Sequence, residues 1–112
     1  MSAKKEFICF IPDKPGALQK RLEVRNQHLE GVRPLVENGS IVCGGGTLDS
    51  HPAAGETPSF NGSALIAVAE TEAEVREMLS KDIYARSGVW DVDNVKIIPF
   101  LCAVRIGDKA LP

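Results

Sequence analysis

An excess of charge of one sign is missing from this sequence. Thirteen Lys and Arg stand against fifteen Asp and Glu, for a net charge of −2, and no acidic or basic run exceeds two residues. There is no basic stripe of the kind that nucleic acid or an anionic membrane surface would require. Long apolar runs are missing too, since none approaches the roughly 20 residues that span a bilayer. After Met1-Ser2-Ala3-Lys4-Lys5-Glu6 the apolar stretch is only Phe7 to Pro12. That is the length of a strand rather than of a signal sequence, and the expectation from it is a cytosolic protein. Cysteine is scarce. Cys9, Cys43 and Cys102 are odd in number and widely spaced, which fits neither a disulfide framework nor a zinc site. Each lies in an apolar run and reads as a small buried hydrophobe. Repeats, low-complexity tracts and linkers are absent. So are the motifs of cofactor chemistry. Gly44-Gly45-Gly46 lacks Gly-Lys-Ser/Thr and does not open a helix, so it is not a phosphate loop. No Gly-x-Ser-x-Gly occurs, and His28 and His51 lack the helical spacing of metal ligands. Neither a cofactor nor a metal is implied.

What remains is an ordinary folded composition. The chain has 112 residues, of which 44% are hydrophobic and 25% charged. That predicts one domain over 1–112 with its core at about 6–104, and excludes disorder. Residues 6–12 read as a first strand, ended by the turn cluster Asp13-Lys14-Pro15-Gly16. Residues 15 to about 37 read as a long helix stopped by Asn38-Gly39, with a kink or early break near Gly31 because Pro34 removes a helical hydrogen bond. A strand follows at 40–48, with the three glycines at its end. Residues 49–59 form a loop, and a structureless loop of that length is more often functional than idle. A third strand spans 60–70. Thr71 and Glu74 form a capping box that opens a second helix through about Ser80. A short connection with Asp82, Tyr84 and Gly88 leads to a last strand over 91–104, in which Pro99 marks an edge or bulge.

The order β-α-β-β-α-β predicts an α+β fold, the ferredoxin-like sandwich of a four-stranded antiparallel sheet with two helices on one face. In the first strand Phe7, Cys9 and Ile11 face one way, and Ile8 and Phe10 the other. In the third, Leu65, Ala67 and Ala69 oppose Ala64, Ile66 and Val68. Both sheet faces are therefore apolar, although two helices can cover only one. A second copy, packed sheet to sheet in a two-fold homodimer, is the expected cover.

The long helix holds the best local signal. Leu18, Leu22, Val24, Leu29, Val32, Leu35 and Val36 span one broad arc, and Arg21, Arg25 and His28 fall inside it. Two cations and an imidazole on an inward face are costly unless paired, so either they line a polar cavity or the arginines snorkel and the histidine is merely satisfied. His28 is a candidate general base, imidazole being the side chain that exchanges protons near neutrality. Its orienting acid would be Asp13, Asp49 or Asp82. His51, before Pro52, reads as an exposed turn residue. The glycines at 44–46 would let a backbone approach a ligand or relieve crowding.

Several of these pieces together resemble the YciI-like (YCII-related) family. They are Asp13-Lys14-Pro15-Gly16-Ala17-Leu18, then Lys20-Arg21-Leu22-Glu23-Val24-Arg25-Asn26-Gln27-His28-Leu29, and Glu37-Asn38-Gly39. The likeness continues with Phe60-Asn61-Gly62-Ser63, Asp82-Ile83-Tyr84 and Gly88-Val89, and covers roughly residues 6–104. It implies a dimeric α/β barrel related in shape to muconolactone isomerases, working without cofactor through a histidine and an aspartate in a pocket. It also implies chemistry on small cyclic or aromatic compounds, including dehydrochlorination. By that likeness the histidine is His28 and the aspartates are Asp13 and Asp82, with Tyr84 following. Ile83 stands where the family usually has proline, and Gly46 where proline commonly follows Ala-Gly. The 49–59 loop is this chain's own.

The expectation is thus a small cofactor-free isomerase or lyase of elimination type. His28 would move a proton with Asp82 or Asp13. Arg25 or Arg21 would hold an anionic group, with Tyr84 and Ser63 also at the ligand. The alternative is a regulatory module that binds a small ligand without catalysis, because Asp13–Leu18 after a strand also resembles the amino-acid-binding turn of ACT domains.

Overall fold

The structure is a computed structural model and describes residues 4–107. Strands β1 (Lys5–Pro12), β2 (Ile41–Leu48), β3 (Phe60–Ala69) and β4 (Lys96–Phe100) form one sheet in the order β2-β3-β1-β4. Every pairing is antiparallel. Helices α1 (Leu18–Glu37), α2 (Glu72–Ser80) and the single turn α3 (Ile83–Arg86) complete the fold, with a 3₁₀ turn at Val92–Asn94. This is the expected ferredoxin-like α+β architecture.

The alternation of β1 sorts its side chains as expected. Phe7, Cys9 and Ile11 are buried and meet Leu65 and Ala67 of β3 and Ile97 of β4. Val75 and Leu79 of α2, then Tyr84, Val89 and Trp90, close the core over that face. Capping sets the helix boundaries. Thr71 accepts a hydrogen bond from the Glu74 amide at 3.2 Å and starts α2. At the end of α1, Gly39 N–H reaches the Val36 carbonyl at 3.2 Å and Ser40 N–H the Leu35 carbonyl at 2.8 Å. Gly39, with φ +83°, supplies the left-handed residue that this closure needs.

Several expectations are corrected. The helix does not break near Gly31. Pro34 sits in the last turn of α1, exposed, where the carbonyl it leaves unpaired can be hydrated, and its own carbonyl still accepts from Asn38 N–H at 3.0 Å. The helix starts at Leu18 rather than at 15, because Pro15 and Gly16 (φ +74°) form a turn before it. The last strand covers only Lys96–Phe100 of the expected 91–104. β1 is its one neighbour, and pairing ends where Glu6 meets Phe100. The connection after α2 is partly helical. Of the cysteines only Cys9 is buried, where burial pushes its thiol up to about 11. Cys43 is exposed and Cys102 half-buried.

The opposite sheet face has no cover within the described residues. Ile8, Ile66 and Ile98 form a row across β3, β1 and β4, with Phe10 beside it. Phe10 is 41% exposed and Ile98 43%.

Candidate functional site

Helix α1 turns polar groups inward. Arg21 is its one buried residue, and Val24, His28, Val32 and Leu35 are half-buried on the same side. Leu18, Leu22, Leu29 and Val36, which the sequence placed in one inward arc with them, are all more than a third exposed. The face toward the sheet therefore carries Arg21 and His28 among Val24, Val32 and Leu35.

His28 and Asp82 meet at 2.8 Å between Nδ1 and Oδ1. Asp82 Oδ1 also accepts the Tyr84 amide at 2.9 Å and so caps α3. A carboxylate only accepts, so Nδ1 carries the proton and a neutral imidazole keeps its Nε2 lone pair free. The ring also stacks on Tyr84 with centroids 4.0 Å apart and planes 13° apart. Trp90 meets its edge at 6.0 Å. Burial raises the Tyr84 phenol above its usual range, so it stays protonated across neutral pH.

A second network lies beside the first. Arg21 Nη1 donates to both oxygens of Asp13, at 2.8 and 2.9 Å. Its Nη2 donates to Ser63 Oγ at 2.8 Å, and Trp90 Nε1 donates to the same oxygen at 3.1 Å. The guanidinium lies over the rings of Phe60 and Tyr84, 4.9 and 4.7 Å from their centroids. Burial pushes the Asp13 carboxyl above the usual carboxylate range, and the Arg21 guanidinium works against that shift. The position of Trp90 is fixed by the end of β1. Asp13 pairs with Trp90 in a bridge, Lys14 N–H reaches the Val89 carbonyl at 2.8 Å, and Asp91 N–H reaches the Pro12 carbonyl at 2.8 Å.

Both networks open on one cavity of about 590 Å³ between α1, β2 and β3. Arg25 is exposed at this cavity and makes no salt bridge among the described residues. Gly44-Gly45-Gly46 form part of the strand wall. Gly46 is there to relieve crowding, since a Cβ on it would stand 2.5 Å from the Phe60 ring. Gly46→Ala is expected to push Phe60 off Arg21 and to cost about 1–3 kcal/mol in urea unfolding. A neutral result would mean that the ring has room to turn. A wider cavity of about 820 Å³ lies between α1 and α2, and His28 and Asp82 border it as well.

The candidate residues thus fall into two groups. His28, Asp82 and Tyr84 form one, and Asp13, Arg21 and Ser63 the other. Of the three acids weighed for His28, Asp82 is the one in contact. Asp13 is bonded to Arg21, and Asp49 accepts from Asn61 at 2.8 Å. His51 is exposed in the loop. The 49–59 loop is tied across its base by Asp49 N–H to the Ser59 carbonyl at 3.0 Å, and it contributes no residue to the cavity. Two ring partners escaped the sequence reading. Trp90 carries a signal that could have found it, because the single tryptophan of a small domain is usually buried with its N–H bonded. Phe60 belongs to the Phe60-Asn61-Gly62-Ser63 piece of the family likeness, but nothing in an apolar residue at a strand start marks it as a partner of Arg21. Among the described residues no three His, Cys, Asp or Glu side chains gather as a metal site. No described helix is long and apolar enough to cross a membrane.

Fold and site together define a ferredoxin-like domain with a histidine–aspartate pair at the polar end of an apolar cavity. The chain belongs to the YCII-related domain family, which matches residues 6–100. It is 39% identical over 99 residues to fusaric acid biosynthesis protein 2 of Gibberella moniliformis, covering 88% of this chain and 95% of that one. It is 40% identical over 84 residues to the derivative of benzaldehyde biosynthesis cluster protein C of Emericella nidulans, covering 74% and 86%. Among solved structures it resembles the 5-chloro-2-hydroxyhydroquinone dehydrochlorinase of Burkholderia phenoliruptrix, in complex with 2,5-dihydroxybenzoquinone. There the TM-score is 0.73 at 26% identity, over 88% of this chain and 95% of the other.

Proposed function

We propose that this protein is a cofactor-independent enzyme that moves a proton on a small oxygenated ring, as a lyase of elimination type or an isomerase. The observation that carries this reading is the His28–Asp82 pair, with Nδ1 held at 2.8 Å on a residue that lines the cavity. His28 Nε2 takes a proton from a saturated C–H made acidic by a neighbouring carbonyl, as the diketo tautomer of a hydroquinone presents. The C–H electron pair becomes the new double bond, and a leaving group departs with its own pair. In an isomerisation nothing departs, and the proton returns to another carbon. Asp82 holds the tautomer and stabilises the imidazolium that forms. Arg25, uncommitted at the cavity, balances charge developing on the ring oxygen. Arg21 lends only a partly neutralised charge, because Asp13 already takes two of its donors. The similar dehydrochlorinase, in complex with a hydroxylated quinone, supports the choice of ring chemistry.

The test uses 5-chloro-2-hydroxyhydroquinone and 2,5-dihydroxybenzoquinone as probes. Chloride release is followed by ion chromatography, and binding of the quinone by titration calorimetry. Release above the buffer rate, or quinone binding that weakens in His28→Asn, supports the reading. Absence of both removes it.

The same reading includes a homodimer in the cytosol, closed through the open sheet face of Ile8, Phe10, Ile66 and Ile98. Light scattering at micromolar concentration is expected to give twice the chain mass, and Ile98→Asp to halve it. A wild-type monomer would exclude the dimer.

A further inference from the structure

The cavity is longer than its polar end needs. One wall is α1 from Arg21 to Val36, about 22 Å of helix. The other is β2, running back from Gly46 to Ile41. Polarity is sorted along this length. Arg21, Arg25, His28, Ser63 and Asp82 occupy one end. Leu29, Val32, Leu35, Val36, Ile41 and Val42 line the remainder. Three of these apolar side chains are left open, with Leu29 at 45%, Val36 at 54% and Val42 at 41% exposure. A single hydroxylated ring at His28 is shorter than this wall. The volume lies within the roughly 300–1,000 Å³ of sites for considerably larger ligands.

From this sorting we infer that the substrate is amphipathic: an oxygenated ring bearing an apolar chain several carbons long. The ring lies at His28 and the chain runs between the last two turns of α1 and the first half of β2. Leu29 to Val36 offers the chain about 10 Å of apolar wall. This occupant follows from continuity, since the apolar stretch opens directly from the His28 end and shares its walls. The inference rests on the proposed ring chemistry for the head and on the groove alone for the chain.

Two ligand series separate those supports. One is 2,5-dihydroxybenzoquinone carrying hydrogen, ethyl, butyl or hexyl at carbon 3. The other is the straight alkanoates from butanoate to decanoate. Calorimetry is run on wild type, Val36→Asp, Val42→Asp and Leu18→Asp, the last lying on α1 outside the cavity. Affinity is expected to rise about two- to fourfold per methylene and then level off where the wall ends. The rise should flatten in Val36→Asp and Val42→Asp and persist in Leu18→Asp. A flat wild-type series in both ligand sets overturns the inference, as does a rise that survives both aspartates. If alkanoates show the rise and no quinone binds, the groove stands and the ring chemistry fails. A change of mass by light scattering in Val36→Asp or Val42→Asp would mean that a second copy covers the groove, and would also overturn it.

Discussion

Replacing His28 by asparagine is expected to lower kcat/KM on any turned-over ring substrate by about 10²–10⁴-fold, the usual worth of a positioned acid–base group. Asparagine can still donate to Asp82, so the capping of α3 survives and the loss is chemical. Stopped-flow or chloride-release kinetics on wild type and variant would measure it, with circular dichroism confirming equal folding. Asp82→Asn should fall in the same direction. Its amide oxygen can still cap α3, but the Nδ1 proton loses its charged acceptor. If His28→Asn kept turnover within about threefold, the imidazole would not be the base. The stack on Tyr84 would then be only packing.

The largest structural effect is expected at Arg21. Its partners are buried with it, the Arg21 and Asp13 side chains being 5% and 6% exposed. Arg21→Met leaves the Asp13 carboxylate in the interior without a counter-charge, and leaves Ser63 without one donor. Breaking one side of a buried pair costs about 3–5 kcal/mol. In a domain of this size each kcal/mol moves the melting temperature by about 4–8 °C, so a drop of at least 12 °C is expected by calorimetry. Adding Asp13→Leu to Arg21→Met should restore a substantial part of that loss, because the orphaned charge is then gone. Strict additivity of the two changes would show that they do not act on one another.

These two sites were legible in the sequence to different degrees. The presence of Arg21 and His28 on the sheet side of α1 was visible, because they recur at the helical period with Val24 and Leu35. Their isolation there was not. Leu18, Leu22, Leu29 and Val36 fit the same broad arc, and hydropathy does not separate a leucine facing the core from one lining an open groove. The strands were clearer, since a period of two leaves only two assignments and both faces of β1 and β3 were apolar. The end of β4 was hidden because it depends on where its partner β1 begins. Which aspartate meets His28 was equally hidden, because 54 residues separate His28 from Asp82 in the chain. Only the folded path from α2 into α3 brings them together. Pro34 misled because the rule against proline applies to helix interiors, and one turn from the end only a single solvated carbonyl is lost.

Ser63 gives the site a directional preference. Its oxygen has two lone pairs, and Arg21 and Trp90 take both. The hydroxyl can therefore only give its hydrogen, never receive one. Any ligand atom placed against it must be an acceptor, and a ketone oxygen satisfies that as well as a phenol oxygen does. An amino group in the same place would set two donors against each other in a pocket wall 5% exposed to water. Ser63 would thus separate acceptor atoms from donors and hardly distinguish the keto and enol oxygens of one ring. A molecule whose tautomer changes during a proton shift can keep this contact from start to finish.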